Sequence, residues 1–214
     1  MDILTRDFYD RDTLTVARAL LGRDIVRVLE DGTVLRCRIT ETEAYIGRMD
    51  KACHAYGYRR TARTETLFAP PGTAYIYLIY GMYHCLNFVT EAKDEPAAVL
   101  IRGAVPMENG DIIAKNRYGC KMEMMSSYQR KNFLNGPGKL CKGLALTRMQ
   151  NSADLTDPAG GLYVCPGRPP APDHVRTGKR VGIDYAGEAA DFPWRFYIWP
   201  SPGGRPRRTG VPFS

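Results

Sequence analysis

Apolar and polar residues alternate with the period of a strand in several stretches, most clearly where Leu35, Cys37 and Ile39 interleave with Val34, Arg36 and Arg38. The pattern predicts a strand over 25–29, a turn at Glu30-Asp31-Gly32 and a long strand over 33–45. Continued at the same parity, it places Glu41, Glu43 and Tyr45 on the apolar side of that long strand. A carboxylate aimed at a core costs several kcal/mol unless it is paired, hydrogen-bonded or open to a cleft, so a site is expected at this strand end. The structural alternative is a bulge that turns Glu41 or Glu43 back to solvent, and for Glu41 it is preferred. Upstream, Leu14, Ala17, Leu20 and Leu21 recur at helical spacing behind Asp12 or Thr13 as cap, with Gly22 as terminator.

The densest aromatic stretch is TAYIYLIYGMYHCLNFV at 73–89, which reads as two strands around a turn at Tyr80-Gly81-Met82-Tyr83. Gly81 supplies the positive φ that a II′ turn needs at its first central position, making Gly81 and Met82 the loop and Tyr80 and Tyr83 its flanks. Turn tips normally carry small polar residues. An apolar tip either inserts into a partner or packs beneath another loop of the chain, and both readings stay open. Residues 96–103 form a further apolar strand ending in Arg102, a charge that needs a partner or water. A helix is expected over 108–118 and a shorter one over 139–146, where Lys139 and the backbone at the entrance could hold a phosphate. No element is assigned over 120–133. Strand-like runs at 180–183 and 194–199 complete the sheet, and 166–172 is a turn-rich connection. Residues 47–69 lack periodicity and read as a long surface loop carrying Arg59, Arg60 and Arg63.

Composition narrows the class. At 214 residues the chain supports a sizeable core, and one domain over 1–200 with a basic, flexible tail over 201–214 is expected. A net charge of +7 admits a polyanionic partner. The six cysteines show no CxxC spacing, which argues against zinc and against a disulfide framework. No apolar run reaches the length of a membrane span, and the first residues lack a signal-peptide pattern, so an intracellular protein is expected, in a nucleus or a bacterial cytoplasm.

ITETEAYIG at 39–47, ACHAYG at 52–57, PPGTAYIYLIYGMYHCLNF at 70–88, VLIRGAVP at 99–106 and NGPGKLCKGLAL at 135–146, with RVGIDYAG and WRFYI near the end, resemble the alkyladenine (3-methyladenine) DNA glycosylase family. The blocks occur in the same order and span most of 14–199. The resemblance implies an α+β fold, one mixed domain around a curved, mainly antiparallel sheet with flanking helices and a protruding hairpin. It implies no metal and no cofactor. Carried over residue by residue, it makes Glu43 the general base, Tyr45, His54 and Tyr77 the walls of a base pocket, Asn87 its gate and Arg102 the water ligand. Tyr80 becomes a wedge entering duplex DNA from the minor groove, with Met82 beside it. A strict two-residue hairpin puts Tyr77 and Asn87 on opposite faces, so either a bulge intervenes or the register differs.

The chemistry implied is removal of 3-methyladenine, 7-methylguanine or hypoxanthine by a monomeric, monofunctional hydrolase in base excision repair. The damaged nucleotide leaves the stack, Tyr45 and Tyr77 hold the base, and a carboxylate activates water against C1′. Two other readings remain: a non-catalytic nucleic-acid binder using the same aromatic hairpin, and a glycoside hydrolase pairing Glu41 with Glu43.

Overall fold

The computed structural model describes residues 2–200. The tail expected over 201–214 lies outside the described residues. Among the described residues eight strands are found: β1 (Asp24–Val28), β2 (Val34–Ile46), β3 (Ala74–Ile79), β4 (Tyr83–Val89), β5 (Ala97–Glu108), β6 (Leu162–Cys165), β7 (Val175–Gly178) and β8 (Arg195–Ile198). Five α-helices accompany them: α1 (Arg6–Tyr9), α2 (Thr13–Ala19), α3 (Gly110–Tyr118), α4 (Ser127–Lys131) and α5 (Pro137–Gly143). The strands lie in the order β3-β4-β5-β2-β1-β6, and every pairing is antiparallel. The start of β2 pairs with β1, whereas Glu41, Thr42 and Glu43 pair with β8, which in turn carries β7. One long strand therefore changes partner along its length, and the sheet curls into a half-barrel flanked by helices, an α+β fold.

The helix-covered face holds the main core. Leu35, Cys37 and Ile39 of β2 join Ile76, Leu86, Phe88, Val99 and Ile101 beneath Val16, Ala17, Leu20, Ile113 and Leu140. Asp12 caps α2, its Oδ2 accepting from the Thr15 N–H at 2.8 Å. Val16, Ala17, Leu20 and Leu21 are buried while Leu14 is half-buried, so the inward stripe is turned slightly from the one expected.

The parity expected for β2 does not survive its length. Pairing with β5 runs Ile39↔Ala104, Glu41↔Gly103, Thr42↔Ile101, an irregularity at which both strands change face. Beyond it Thr42, whose hydroxyl donates to Ala17 O at 2.8 Å, and Ala44 point into the helix-covered core. Glu41, Glu43 and Tyr45 consequently point to the other face, not the one shared by Leu35, Cys37 and Ile39. Gly103 permits the close approach, since a Cβ there would lie 3.2 Å from the Glu41 Cβ.

The hairpin register differs too. Ile79 pairs with Tyr83, leaving Tyr80, Gly81 and Met82 as the tip. The Met82 N–H donates to Ile79 O at 3.2 Å, and Tyr80 (φ 54°) and Gly81 (φ 69°) both take positive φ, the pattern of a I′ turn rather than the II′ turn expected. That one-residue slip pairs Tyr75 with Asn87 and Tyr77 with Cys85, placing all four on one face and removing the conflict between Tyr77 and Asn87. Residues 180–183 are not a strand, and the extra late strand is β7. Residues 47–69, expected as a long surface loop, fold over a small core that buries Cys53, Ala55, Leu67 and Phe68. The stretch 120–133 contains a 3-10 turn and α4.

Candidate active site

The face of the sheet turned away from the helices is lined by aromatic and polar side chains. β3 contributes Tyr75 and Tyr77, β4 Cys85 and Asn87, β5 Leu100 and Arg102, and β2 Tyr45. The folded loop adds Cys53 and His54, and the segment after β7 adds Val181, Ile183 and Tyr185. Together they enclose a cavity of about 320 Å³. Tyr80 and Tyr185 stand at its rim, 81% and 72% exposed, and Met82 is exposed beside Tyr80. The tip is thus not packed beneath another loop.

Glu43 is fully buried, immediately behind this wall. It does not line the cavity itself, but three groups that touch it do. Its Oε2 accepts from the Tyr45 hydroxyl at 2.7 Å, and its Oε1 accepts from the Val181 N–H at 2.8 Å. Arg102 Nε lies 3.4 Å from the same Oε1 and donates at 3.2 Å to Glu41 Oε1, which Arg195 also reaches at 3.3 Å. Arg102 is therefore shared between two carboxylates and does not saturate Glu43. Burial pushes the Glu43 carboxyl above its ordinary range, and Arg102, the Tyr45 hydroxyl and the Val181 N–H pull against it. Glu41, for which an outward turn was expected, does sit at the bulge, but it is held by Arg102 and Arg195 and is only slightly exposed.

His54 Nδ1 lies 3.1 Å from the Tyr75 hydroxyl, and its ring meets Tyr77 edge-on at 4.6 Å. Burial, with a smaller effect from Arg63, lowers its pKa to about 4, so the imidazole is neutral at physiological pH. Asn87 is buried and its Nδ2 donates to Tyr75 O at 3.0 Å and Cys85 O at 3.2 Å, which leaves Oδ1 as its group for a ligand. Lys139 donates to Asn132 Oδ1 at 2.9 Å and Asn135 Oδ1 at 2.8 Å, tying the connection between α4 and α5.

The sequence reading missed Arg180 and Asp50. Both side chains are fully buried, with bidentate contacts of 2.5 and 2.8 Å. Arg180 also donates to Ala44 O at 2.8 Å and Ala189 O at 3.0 Å, and its guanidinium lies 4.6 Å from the Tyr45 ring centroid. It fixes the backbone between Glu43 and Tyr45, and the next residue supplies the N–H that Glu43 accepts. A charge at the head of the apolar run RVGI was the available signal, the same one that marked Arg102. Tyr75 was likewise visible only as one more tyrosine of the hairpin. Among the described residues no group of three His, Cys, Asp or Glu side chains is placed to hold a metal ion.

A family model described as Methylpurine-DNA glycosylase (MPG) matches residues 7–202. A protein of Clostridium perfringens (strain SM101 / Type A) is 53% identical over 196 residues, covering 91% of this chain and 95% of its own. Proteins of Clostridium botulinum (strain Alaska E43 / Type E3) and Clostridium novyi (strain NT) are 48% and 47% identical, covering 92% of this chain and 95% and 96% of theirs. All three carry the name "Putative 3-methyladenine DNA glycosylase".

Proposed function

The chain belongs to the methylpurine-DNA glycosylase family, and from that premise we propose that it flips alkylated or deaminated purines out of duplex DNA and cuts their glycosidic bond with water activated by Glu43. As a member of the family it is a DNA glycosylase, an N-glycosyl hydrolase of base excision repair that acts on DNA. The substrates are 3-methyladenine, 7-methylguanine and hypoxanthine, and the product is an abasic site. The protein works as a monomer and inside the cell.

One observation carries the reading: a fully buried carboxylate, Glu43, stands one side chain behind a tyrosine-walled cavity whose rim bears the exposed ring of Tyr80. The everted base lies between Tyr45 and Tyr77, with neutral His54 and the Asn87 Oδ1 at its edges. Breaking the bond leaves oxocarbenium character on the sugar, which the Glu43 carboxylate stabilises while taking a proton from the attacking water. Arg102 reaches both Glu43 and the cavity, so it orients that water and keeps the carboxylate ionisable. Tyr80 fills the vacated stack from the minor groove, with Met82 against the neighbouring step. Unstacking costs a few kcal/mol, least at damaged pairs, which adds selectivity before the pocket is reached.

The test is incubation with duplexes containing hypoxanthine or 7-methylguanine at excess enzyme. Abasic sites are expected with wild-type protein, and lesions left intact would refute the assignment. Binding without product would instead identify a non-catalytic reader of DNA shape.

A further inference from the structure

Beside two residues that line the cavity, Tyr77 and His54, stands a cation for which the described residues provide no carboxylate partner. Arg63 is exposed, its guanidinium lies 5.6 Å from the Tyr77 ring centroid, and its Nη2 is 3.5 Å from His54 Nε2. Among the described residues no carboxylate lies within ion-pair distance of Arg63. The other guanidinium groups about the site are matched: Arg102 by Glu41 and Glu43, Arg195 by Glu41, and Arg180, against the Tyr45 ring, by Asp50. Arg60, in the same loop as Arg63, is matched by Glu65 and Asp94.

Two consequences follow from elementary electrostatics. An aromatic ring attracts a cation through its electron-rich face, and Tyr77, one of the two rings proposed to hold the base, is already approached by Arg63. The guanidinium is also permanently charged, so a base carrying positive charge meets repulsion on entering that a neutral base of similar shape does not. We infer that Arg63 is a specificity-determining residue that biases the pocket against cationic N-alkylated purines and toward neutral lesions. The inference rests on the glycosylase reading above. It requires no new bond or group transfer, only a difference in the free energy with which two classes of base occupy one cavity. Because Arg63 lies on the surface, its replacement leaves the core and the Glu43 constellation in place.

The experiment compares single-turnover excision, at saturating enzyme, of cationic 7-methylguanine and neutral hypoxanthine from otherwise identical duplexes, each corrected for enzyme-free release. Wild type, Arg63→Gln and Arg63→Glu are measured side by side. The ratio of cationic to neutral excision is expected to rise by about 3-fold to 30-fold in Arg63→Gln and further in Arg63→Glu, the scale of one screened charge near the mouth. Equal loss on both lesions would make Arg63 a phosphate contact and overturn the inference, as would an unchanged or falling ratio. Wild-type protein that released neither base would instead sink the glycosylase reading on which the inference stands, so the two failures are told apart.

Discussion

The sheet buries both of its faces, and it buries them by different means. On the helix-covered side, Phe88, Ile101, Leu86 and Ala44 lie in the main apolar core, so their side chains contribute chiefly through the area they remove from water. On the opposite side, Glu43, Tyr45, Tyr77, Asn87 and Arg102 crowd around a cavity, and charges are held there by partners that consume much of their Coulombic gain in desolvation. The same strands serve both: in β4 Phe88 points one way and Asn87 the other, and in β5 Ile101 and Arg102 do likewise. A substitution one residue along a strand should therefore move from stability to catalysis, and that contrast can be broken experimentally.

The largest effect expected is on the cavity side. Glu43→Gln should slow single-turnover excision of hypoxanthine from duplex DNA by about 10²-fold to 10⁴-fold while leaving lesion binding nearly intact. Equal losses of binding and rate would mark Glu43 as structural. Because burial raises the Glu43 pKa, the folded state holds that proton more tightly than the unfolded chain does. Its contribution to stability is present below the ordinary carboxylate pKa and is lost as pH rises through the folded value. At neutral pH the Glu43→Gln protein should thus melt at the wild-type temperature or above it, an outcome calorimetry decides.

The core side supplies the opposite pattern. Phe88→Ala should cost about 3–5 kcal/mol in denaturant unfolding, yet the surviving folded fraction should excise at close to the wild-type rate. Arg180→Met joins the two columns: stripping one member of a buried pair costs about 3–5 kcal/mol, and it also releases the backbone that aims Glu43 and Tyr45. If Arg180→Met unfolds no more easily than wild type, the pair is not the clamp described above.

A smaller effect is a shift in pH dependence. The rate should climb with pH through the folded pKa of Glu43, above the ordinary carboxylate range, and then level. Removing the opposing charge in Arg102→Gln should carry that limb to higher pH, since Arg102 is the largest influence holding the Glu43 pKa down. Glu41, Tyr45 and the Val181 N–H also face Glu43 and remain in the variant. An unmoved limb would assign it to another group.

Which face a residue takes was only half legible in the sequence. Alternation identified β1, β2 and the hairpin, because a strand with one dry face must repeat every second residue. It does not reveal the slip at Ile39 to Thr42, which depends on what Gly103 allows a different strand to do, so alternation alone places the buried Glu43 on the wrong face. The hairpin register failed for a similar reason. Gly81 alone was counted as able to take positive φ, while the fold also places Tyr80 there. The segment around Arg180 resembles a strand by composition, yet it lines the cavity and is strapped there by a charge whose partner lies 130 residues earlier. Local pattern carries no information about a contact of that separation.

The smallest effect expected is the most telling about the tip. A non-glycine residue at positive φ carries strain of about 1 kcal/mol, and aromatic side chains have no local hydrogen bond to offset it, whereas Asn does. Asn-Gly is the preferred pair for a I′ turn, so Tyr80→Asn should leave stability unchanged or raise it by up to about 1 kcal/mol. Stability alone would therefore place Asn at this position, and the sequence places an exposed ring there instead. The same variant should lose excision from duplex DNA, where a wedge is needed to hold the nucleotide out. It should lose much less when the lesion is opposite a gap or in a single strand, where no partner base competes for the vacated space. Equal activity of Tyr80→Asn and wild type on the duplex would show that the ring is not a wedge, and would leave the strained tip without a function.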